Sequence, residues 1–300
     1  MPDHYASFDF HLHTLWSYDA CTPIERYFEL ARERGVKVLA VTEHHTMDSF
    51  REIQAIAPAF PEVAYVAGAE LTVSSELGTF DMVCLGLPPS PTPELAEVFE
   101  RYHRWQRNYG DALSDAFTAG GFPYTREDRL ALLRRYRPER TIEVQGITHV
   151  QNGLQRDYLI GEKKYFPDVN AFHDFRIGKE LPPYPAAETV IPAVKRSGAL
   201  VFIAHPAGYF NLDDVKRMDA LRELLGFDGI ECAHDSVPPE LTPFYRRYCV
   251  EHRLLSTAGS DSHSLPESPY RFGAAHEFGR HIGEDRWRDE ILERVAVYNR

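Results

Sequence analysis

Residues 36–45, VKVLAVTEHH, decide how the rest of the chain is read. The run Val36 to Val41 is apolar and rich in β-branched side chains, which predicts a buried β-strand. It ends in one carboxylate, Glu43, and two imidazoles, His44 and His45. A buried strand whose carboxyl end delivers ionisable groups is the pattern of α/β proteins, in which sites gather at that end of a parallel sheet.

The flanking sequence repeats the pattern. Phe8 to His11 reads as a strand, and Pro23 to Arg34 as a helix with Thr22 as cap, Pro23 in its first turn and Gly35 closing it. Asp48 to Ala57 suits a helix stopped by Pro58, with strands at Val63–Val66 and Phe80–Leu85. The alternation resumes at Glu188. Helices are expected at Glu188–Arg196, Asp213–Leu225 and Pro239–His252, with strands at Ala199–Ala204, Gly229–Cys232 and Leu254–Thr257. Strands separated by helices imply βαβ units, hence an α/β fold, a distorted parallel (β/α)7-type barrel. The segment PPSPTPE after Leu87 breaks the rhythm, and the residues beyond it are charged, aromatic and helical in period, with Gly120-Gly121 between two stretches. Residues 1–90 and 185–300 are therefore assigned to the barrel, and 91–184 to a mostly helical insertion.

Composition narrows the function classes. With 300 residues, 43% hydrophobic and 26% charged, the chain is an ordinary globular sequence. Thirty-three Lys+Arg against 45 Asp+Glu give a net charge of −12, which disfavours duplex nucleic acid and anionic membranes as partners. The start, MPDHYASFDFHLHT, lacks the basic and apolar regions of a signal peptide. Cys21, Cys84, Cys232 and Cys249 form no CxxC pair, so reduced thiols and a cytoplasmic location are expected. Nothing implies an obligate protein partner.

The chemistry lies at the strand ends. His11 and His13 end the first strand, Glu70 follows the third after Gly68, Asp81 lies in the fourth, His205 follows the fifth, Glu231 ends the sixth, and Asp261 and His263 follow the last. A single histidine after a strand is more often structural than functional, but so many at one face is not a chance arrangement. His11 and His13, two apart in an extended segment, project to the same side. Imidazoles and carboxylates packed together without a cation would suffer desolvation and repulsion, so a multinuclear metal site is expected.

The motifs HLHT (11–14), SYDA (17–20), TEHHT (42–46), AGAE (67–70), IAHP (203–206) and GSDSH (259–263) resemble, in order, those of the polymerase and histidinol phosphatase (PHP) superfamily of metal-dependent phosphoesterases. The middle segment is similar to the helical insertion of that family's smaller nucleotide and oligonucleotide phosphatases. The resemblance implies two to three divalent metal ions (Mn, Fe or Zn). His11, His13, Glu70 and Asp261 would hold one, Asp19, His44 and His263 a second, and Glu70, Asp81 and His205 a third. It also places His149, in ITHVQNGL (147–154), on substrate phosphate. Two departures stand out: Glu43 replaces the aspartate of the family's TDH, and Asp81 stands where the family often has histidine.

The expected reaction is hydrolysis of phosphate esters of a nucleotide or short oligonucleotide by a metal-activated hydroxide, with His205 or His149 protonating the leaving group. His234 is expected to line the substrate pocket. Rival readings are a histidinol-phosphate phosphatase, whose relatives lack such an insertion, a hydrolase of non-phosphate substrates, for which a lysine at a strand end would be the sign, and a non-catalytic module serving a polymerase. Arg101, Arg104, Arg107 and the run Arg134-Arg135-Tyr136-Arg137 read as a solvated face, and His4, His103, His252, His276 and His281 as surface residues. Tyr158, Tyr165, Phe166 and Phe172 fit either base stacking or packing of the insertion.

Overall fold

The computed structural model describes residues 4–176, 179–210, 214–273 and 276–299. The apolar run around Val38 is a strand because it is covered on both faces: β1 (Phe8–Leu12) and its neighbour are buried at every position. Elements follow as α1 (Ile24–Arg34), β2 (Val38–Val41), α2 (Phe50–Ile56), β3 (Ala64–Ser75) and β4 (Gly78–Leu85). Among the described residues five α-helices intervene, α3 (Pro93–Ala119), α4 (Arg126–Leu133), α5 (Glu139–Gln145), α6 (Asn152–Asp157) and α7 (Val169–Arg176), with a π-helical turn at Tyr158–Glu162. Then come α8 (Ala187–Arg196), β5 (Leu200–Ile203), α9 (Val215–Leu225), β6 (Gly229–Ala233), α10 (Thr242–Glu251), β7 (Leu255–Ala258), α11 (Asp285–Leu292) and β8 (Val297–Tyr298). The expected start of α9 at Asp213 lies outside the described residues.

The strands form one sheet in the order β1 to β7, with β8 added beside β3. A parallel bridge between Leu12 and Ser262, backed by the bonds Asp261 N–H to His11 O (2.8 Å) and His13 N–H to Ser262 O (3.0 Å), joins its two edges at the rim. The expectation of a distorted parallel α/β barrel holds, and the distortion lies at one strand. β4 runs antiparallel to both β3 and β5. The reason is the short connection: β3 and β4 are a tight hairpin, which can only be antiparallel. This reversal puts Asp81, near the start of β4, opposite Thr72 at the rim.

β3 is also longer than the sequence suggests. Gly68 reads as a stop, yet β3 continues through it to Ser75. A side chain at Gly68 would meet Cys84 O and Thr42 Cγ2 at 2.9 Å each, so glycine serves here to let three strands approach. Glu70 is consequently inside β3, paired with Val83, rather than in a loop.

Two apolar clusters pack the barrel strands against their helices. A third belongs to the helical segment and contains Leu113, Phe117, Tyr124, Phe166 and Phe172, together with Phe272 from the chain after β7. Phe166 and Phe172 are thereby packing residues, and Tyr158 donates its hydroxyl to Asp128 at 2.5 Å. Helix α4 opens with a capping box between Thr125 and Asp128. Helices α5, α6 and α7 have six to eight residues, too short for their periodicity to be read.

Several surface assignments need correction. Arg101 and Arg104 do form a solvated face, each paired with a glutamate one turn earlier. Arg134 and Arg135 pair with Glu139 and Glu162. Tyr136 and Arg137, however, are buried, because α4 ends at Leu133 and the chain turns inward. His281 is buried beneath Phe8 O (2.8 Å) and His276 is mostly buried, where both read as surface. Cys84, Cys232 and Cys249 are buried free thiols and Cys21 is half-buried. Among the described residues no helix is long and apolar enough to cross a membrane.

Gly259 is the tightest point of the ring closure, since an added Cβ would lie 2.3 Å from His11 Cβ and 2.6 Å from its nitrogen. The variant Gly259→Ala must push β1 and the segment after β7 apart. It should cost about 2–3 kcal/mol in urea unfolding, and an unchanged midpoint would show that the closure is loose.

Candidate metal centre

The centre is built at the rim, where β1, β2, β3 and the ends of β5, β6 and β7 meet. Glu70 is its middle. Its Oε2 lies 3.2 Å from both His11 Nε2 and His13 Nε2 and 3.1 Å from His44 Nδ1, while its Oε1 lies 3.0 Å from His205 Nε2. Asp261 faces the same imidazoles from the other side, with Oδ1 at 3.3 Å from His11 and 3.1 Å from His13. His11, His13 and Glu70 are at most 1% exposed.

A second group lies alongside. His44 Nε2 and His263 Nε2 are 3.3 Å apart, and Asp19 Oδ2 faces them at 3.4 and 3.7 Å. In a third, His205 Nε2 is 3.9 Å from Asp81 Oδ2. Asp81 is already occupied: Thr72 donates to one oxygen at 2.5 Å and Tyr209 to the other at 2.7 Å. The expected ligands thus come together in three sets around Glu70. Within the first set, the third, and a set of His13, His44 and His263, the candidate ligand atoms lie within 4.8 Å of one another.

Backbone strain marks the same places. His45, His205 and Asp261 all have positive φ (64°, 28° and 54°), a region that costs a non-glycine residue energy and is retained where the surroundings enforce it. At His45 the reversal turns that ring away from its neighbour. It stacks on Tyr102 and binds Thr72 Oγ1 at 2.9 Å.

Outer contacts fix the rings. His13 Nδ1 meets Ser17 Oγ at 3.1 Å, and that hydroxyl donates its proton to Glu43 at 2.5 Å and accepts the His44 N–H at 2.9 Å. Glu43 also accepts the Thr14 N–H at 3.1 Å and its hydroxyl. Glu43 therefore holds the loop that carries the ligands instead of reaching the centre itself. Glu231 Oε1 meets His11 Nδ1 at 3.0 Å. The stretch Leu15 to Asp19 is gripped from the helical segment: Arg137 donates to Leu15 O and Trp16 O, Gln145 to Trp16 O, and Tyr136 to Tyr18 O.

The residues fit a set of divalent cations, on the evidence of their own atoms. His11 Nε2, His13 Nε2, His44 Nδ1, Asp19 Oδ1 and Asp261 Oδ1 are buried without a hydrogen-bond partner. Such atoms are costly unless something else satisfies them, and imidazole plus carboxylate is a donor set for Zn, Mn or Fe.

In the absence of cations, protons balance the carboxylates. Burial opposes charge on His44, but Asp19 and Glu70 overcome it and push the imidazole up to about 10. His205 rises likewise to about 9, against burial, through Glu70 and Asp81, and His11 lies well above its usual value despite complete burial. Burial and the neighbouring His13 push His263 down to about 4, so His44 carries the proton of that pair. Burial also pushes His149 down to about 4.

His149 is not among the ligands. It is 3% exposed, its ring packs 3.9 Å from that of Tyr18, and its Nδ1 faces Gln106 O at 3.4 Å. His234 is buried, accepting the Ser236 N–H on Nδ1 at 2.9 Å, with Nε2 3.5 Å from Asp261 Oδ2. His276 Nδ1 is 3.7 Å from the same oxygen. The sequence assigns Glu231 no role, although its place at a strand end is an available signal. For His276 there is none, because the chain between β7 and α11 has no periodicity.

The family model of the PHP domain matches residues 9–167. Among solved structures, a protein from Bifidobacterium adolescentis assigned as a metal-dependent phosphoesterase superposes with a TM-score of 0.73 at 24% identity, covering 98% of each chain. An amidohydrolase from Chromobacterium violaceum, solved with sulfate and no metal, gives 0.74 at 19% identity, covering 97% of this chain and 98% of that one. Both likenesses concern the fold. Among curated proteins none matches.

Because His11 and His44 hold protons where cations would sit, loading the metal-free protein with Zn²⁺ at pH 7.5 should release roughly two protons per chain. The apparent affinity should rise with pH, by about tenfold per unit for each proton displaced. Calorimetry in buffers of different ionisation enthalpy measures both. Uptake without proton release would mean that these imidazoles are neutral beforehand.

Proposed function

The chain belongs to the PHP domain family and is a metal-dependent hydrolase acting on phosphoester bonds, and on that premise we propose that it removes phosphate from a nucleotide or short oligonucleotide. The observation that carries the reading is the convergence of four imidazoles on the single buried carboxylate of Glu70. Two cations are assigned, one to His11, His13, Glu70 and Asp261 and one to Asp19, His44 and His263. Such ions supply Lewis acidity toward phosphoryl oxygens and lower the pKa of water toward neutrality.

The remaining roles fall to the protein. One imidazole nitrogen can hold a proton or a cation, not both. With Asp81 engaged by Thr72 and Tyr209 and 3.9 Å away, the third position is poorly supplied. His205 Nε2 is accordingly assigned the proton for the leaving oxygen. His149 is neutral and holds its proton on Nδ1 toward Gln106 O, so its part is to contact and orient substrate through Nε2. On His234, the Ser236 N–H occupies Nδ1 and leaves the proton on Nε2, a donor suited to a phosphoryl oxygen.

The nucleotide assignment draws on the half-buried tyrosines beside the cluster. Tyr18 lies 5.4 Å from the His44 ring, Tyr109 5.0 Å from His149, and Tyr184 stacks on Trp105 at 4.2 Å. Flat aromatic surfaces next to a phosphate-directed centre suit a base attached to the phosphate.

With Mn²⁺ added, nucleoside mono- and bisphosphates or short RNA should be turned over at least about tenfold better in kcat/KM than histidinol phosphate. The reverse order would overturn the substrate assignment. His11→Ala should lose metal and more than about 100-fold in activity, beyond what changes outside the coordination sphere cause. His149→Ala should raise KM by about tenfold, the worth of one lost contact, at unchanged metal content. Loss of metal in that variant would place His149 at the centre instead.

A further inference from the structure

Glu231 lies within β6 and is 1% exposed. Its two oxygens serve two different arms of the centre. Oε1 meets His11 Nδ1 at 3.0 Å, and Oε2 accepts the backbone N–H of His205 at 2.7 Å. We propose that Glu231 is a positioning residue that sets both arms at once: it fixes which nitrogen of His11 faces the centre, and it holds the strained turn that aims His205.

The first contact works through the proton. A carboxylate on Nδ1 keeps a hydrogen there, so that Nε2, 3.2 and 3.3 Å from Glu70 Oε2 and Asp261 Oδ1, is the nitrogen a cation would take. That Nε2 has no hydrogen-bond partner, as a nitrogen directed at a cation would not. The second contact works through the backbone. His205 has φ 28° and ψ 59°, in the left-handed region that non-glycine residues avoid, and the turn runs on into Pro206–Gly208. Its N–H, pinned to Glu231, keeps the chain in this turn, and the ring then reaches Glu70 Oε1 at 3.0 Å.

Only a carboxylate of this length satisfies both donors. A glutamine offers one acceptor oxygen and would turn its NH₂ toward the other N–H. An aspartate keeps two acceptors but, one methylene shorter, cannot span from β1 to the end of β5. Glu231 is not itself assigned to a cation, although His11 and His234 surround it. His11 presents Nδ1–H to it, and His234 has Nδ1 filled by the Ser236 N–H and so carries its own proton on Nε2.

This inference rests on the cation-centre reading above, and the two can fail separately. In metal-free full-length protein with ¹⁵N-labelled histidines, the His205 amide should be strongly protected from hydrogen exchange. It should lose that protection by more than about tenfold in Glu231→Gln. In the Zn²⁺-loaded protein, the His11 Nδ1 proton should be visible far downfield in the wild type and shifted upfield in the variant, whose amide oxygen is a neutral and weaker acceptor. The Zn²⁺ dissociation constant should rise by about 10–100-fold while the two equivalents are still taken up at saturation. If Glu231→Gln does not fold, Glu231→Asp carries the same readouts, with one of the two contacts expected to survive. Unchanged His205 protection and unchanged Zn²⁺ affinity would overturn the proposal, and loss of a whole equivalent at saturation would make Glu231 a ligand. A wild type that takes up no divalent cation would instead remove the reading on which the proposal stands.

Discussion

A carboxylate buried at 1% exposure among four imidazoles is the constraint from which the rest of the architecture follows. Glu70 cannot be ionised in such a place without positive charge at contact distance. The fold meets that demand from three directions, by β1, the turn after β2 and the end of β5. Everything nearby is arranged to keep those donors fixed. The hairpin carries Glu70 past the glycine gap at position 68, Glu43 and Ser17 hold His13 and the His44 backbone, and Glu231 holds His11. With Asp261 and Asp19 added, the patch is too anionic to persist empty of both protons and cations.

The residues that gather around Glu70 are legible in the sequence because strand ends are legible: a β-branched run followed by His, Asp or Glu marks a position on the rim. His11, His13, His44, His205, Asp261 and His263 were visible in this way. What could not be read was how the strands are turned. Asp81 stands near the start of its strand, not its end, and reaches the rim only because β4 is reversed. Glu70 reads as a loop residue because Gly68 resembles a stop, whereas the backbone is merely crowded there. Neither fact has a local signal, since both depend on which strand lies opposite.

The helical segment was less legible for a different reason. Helices of six to eight residues show barely two turns of periodicity, and their burial is set by partners distant in sequence. Arg137 illustrates the difficulty. In a run of basic residues it reads as solvated, but its guanidinium is spent on neutral acceptors: the carbonyls of Leu15 and Trp16, Thr148 Oγ1 and Gln145. Burial lowers its pKa, opposed in part by Tyr136, Glu43 and Asp19.

That grip has a consequence for how such a protein can change. Residues Leu15 to Asp19 belong to the barrel in sequence, yet Tyr136, Arg137 and Gln145 hold them. Trimming away the helices would therefore free the very stretch that delivers Asp19. Replacing them with another module would require that module to supply the same set of donors. The two parts are tied at the rim, so their sequences are free to diverge in tandem but not to be shuffled one at a time.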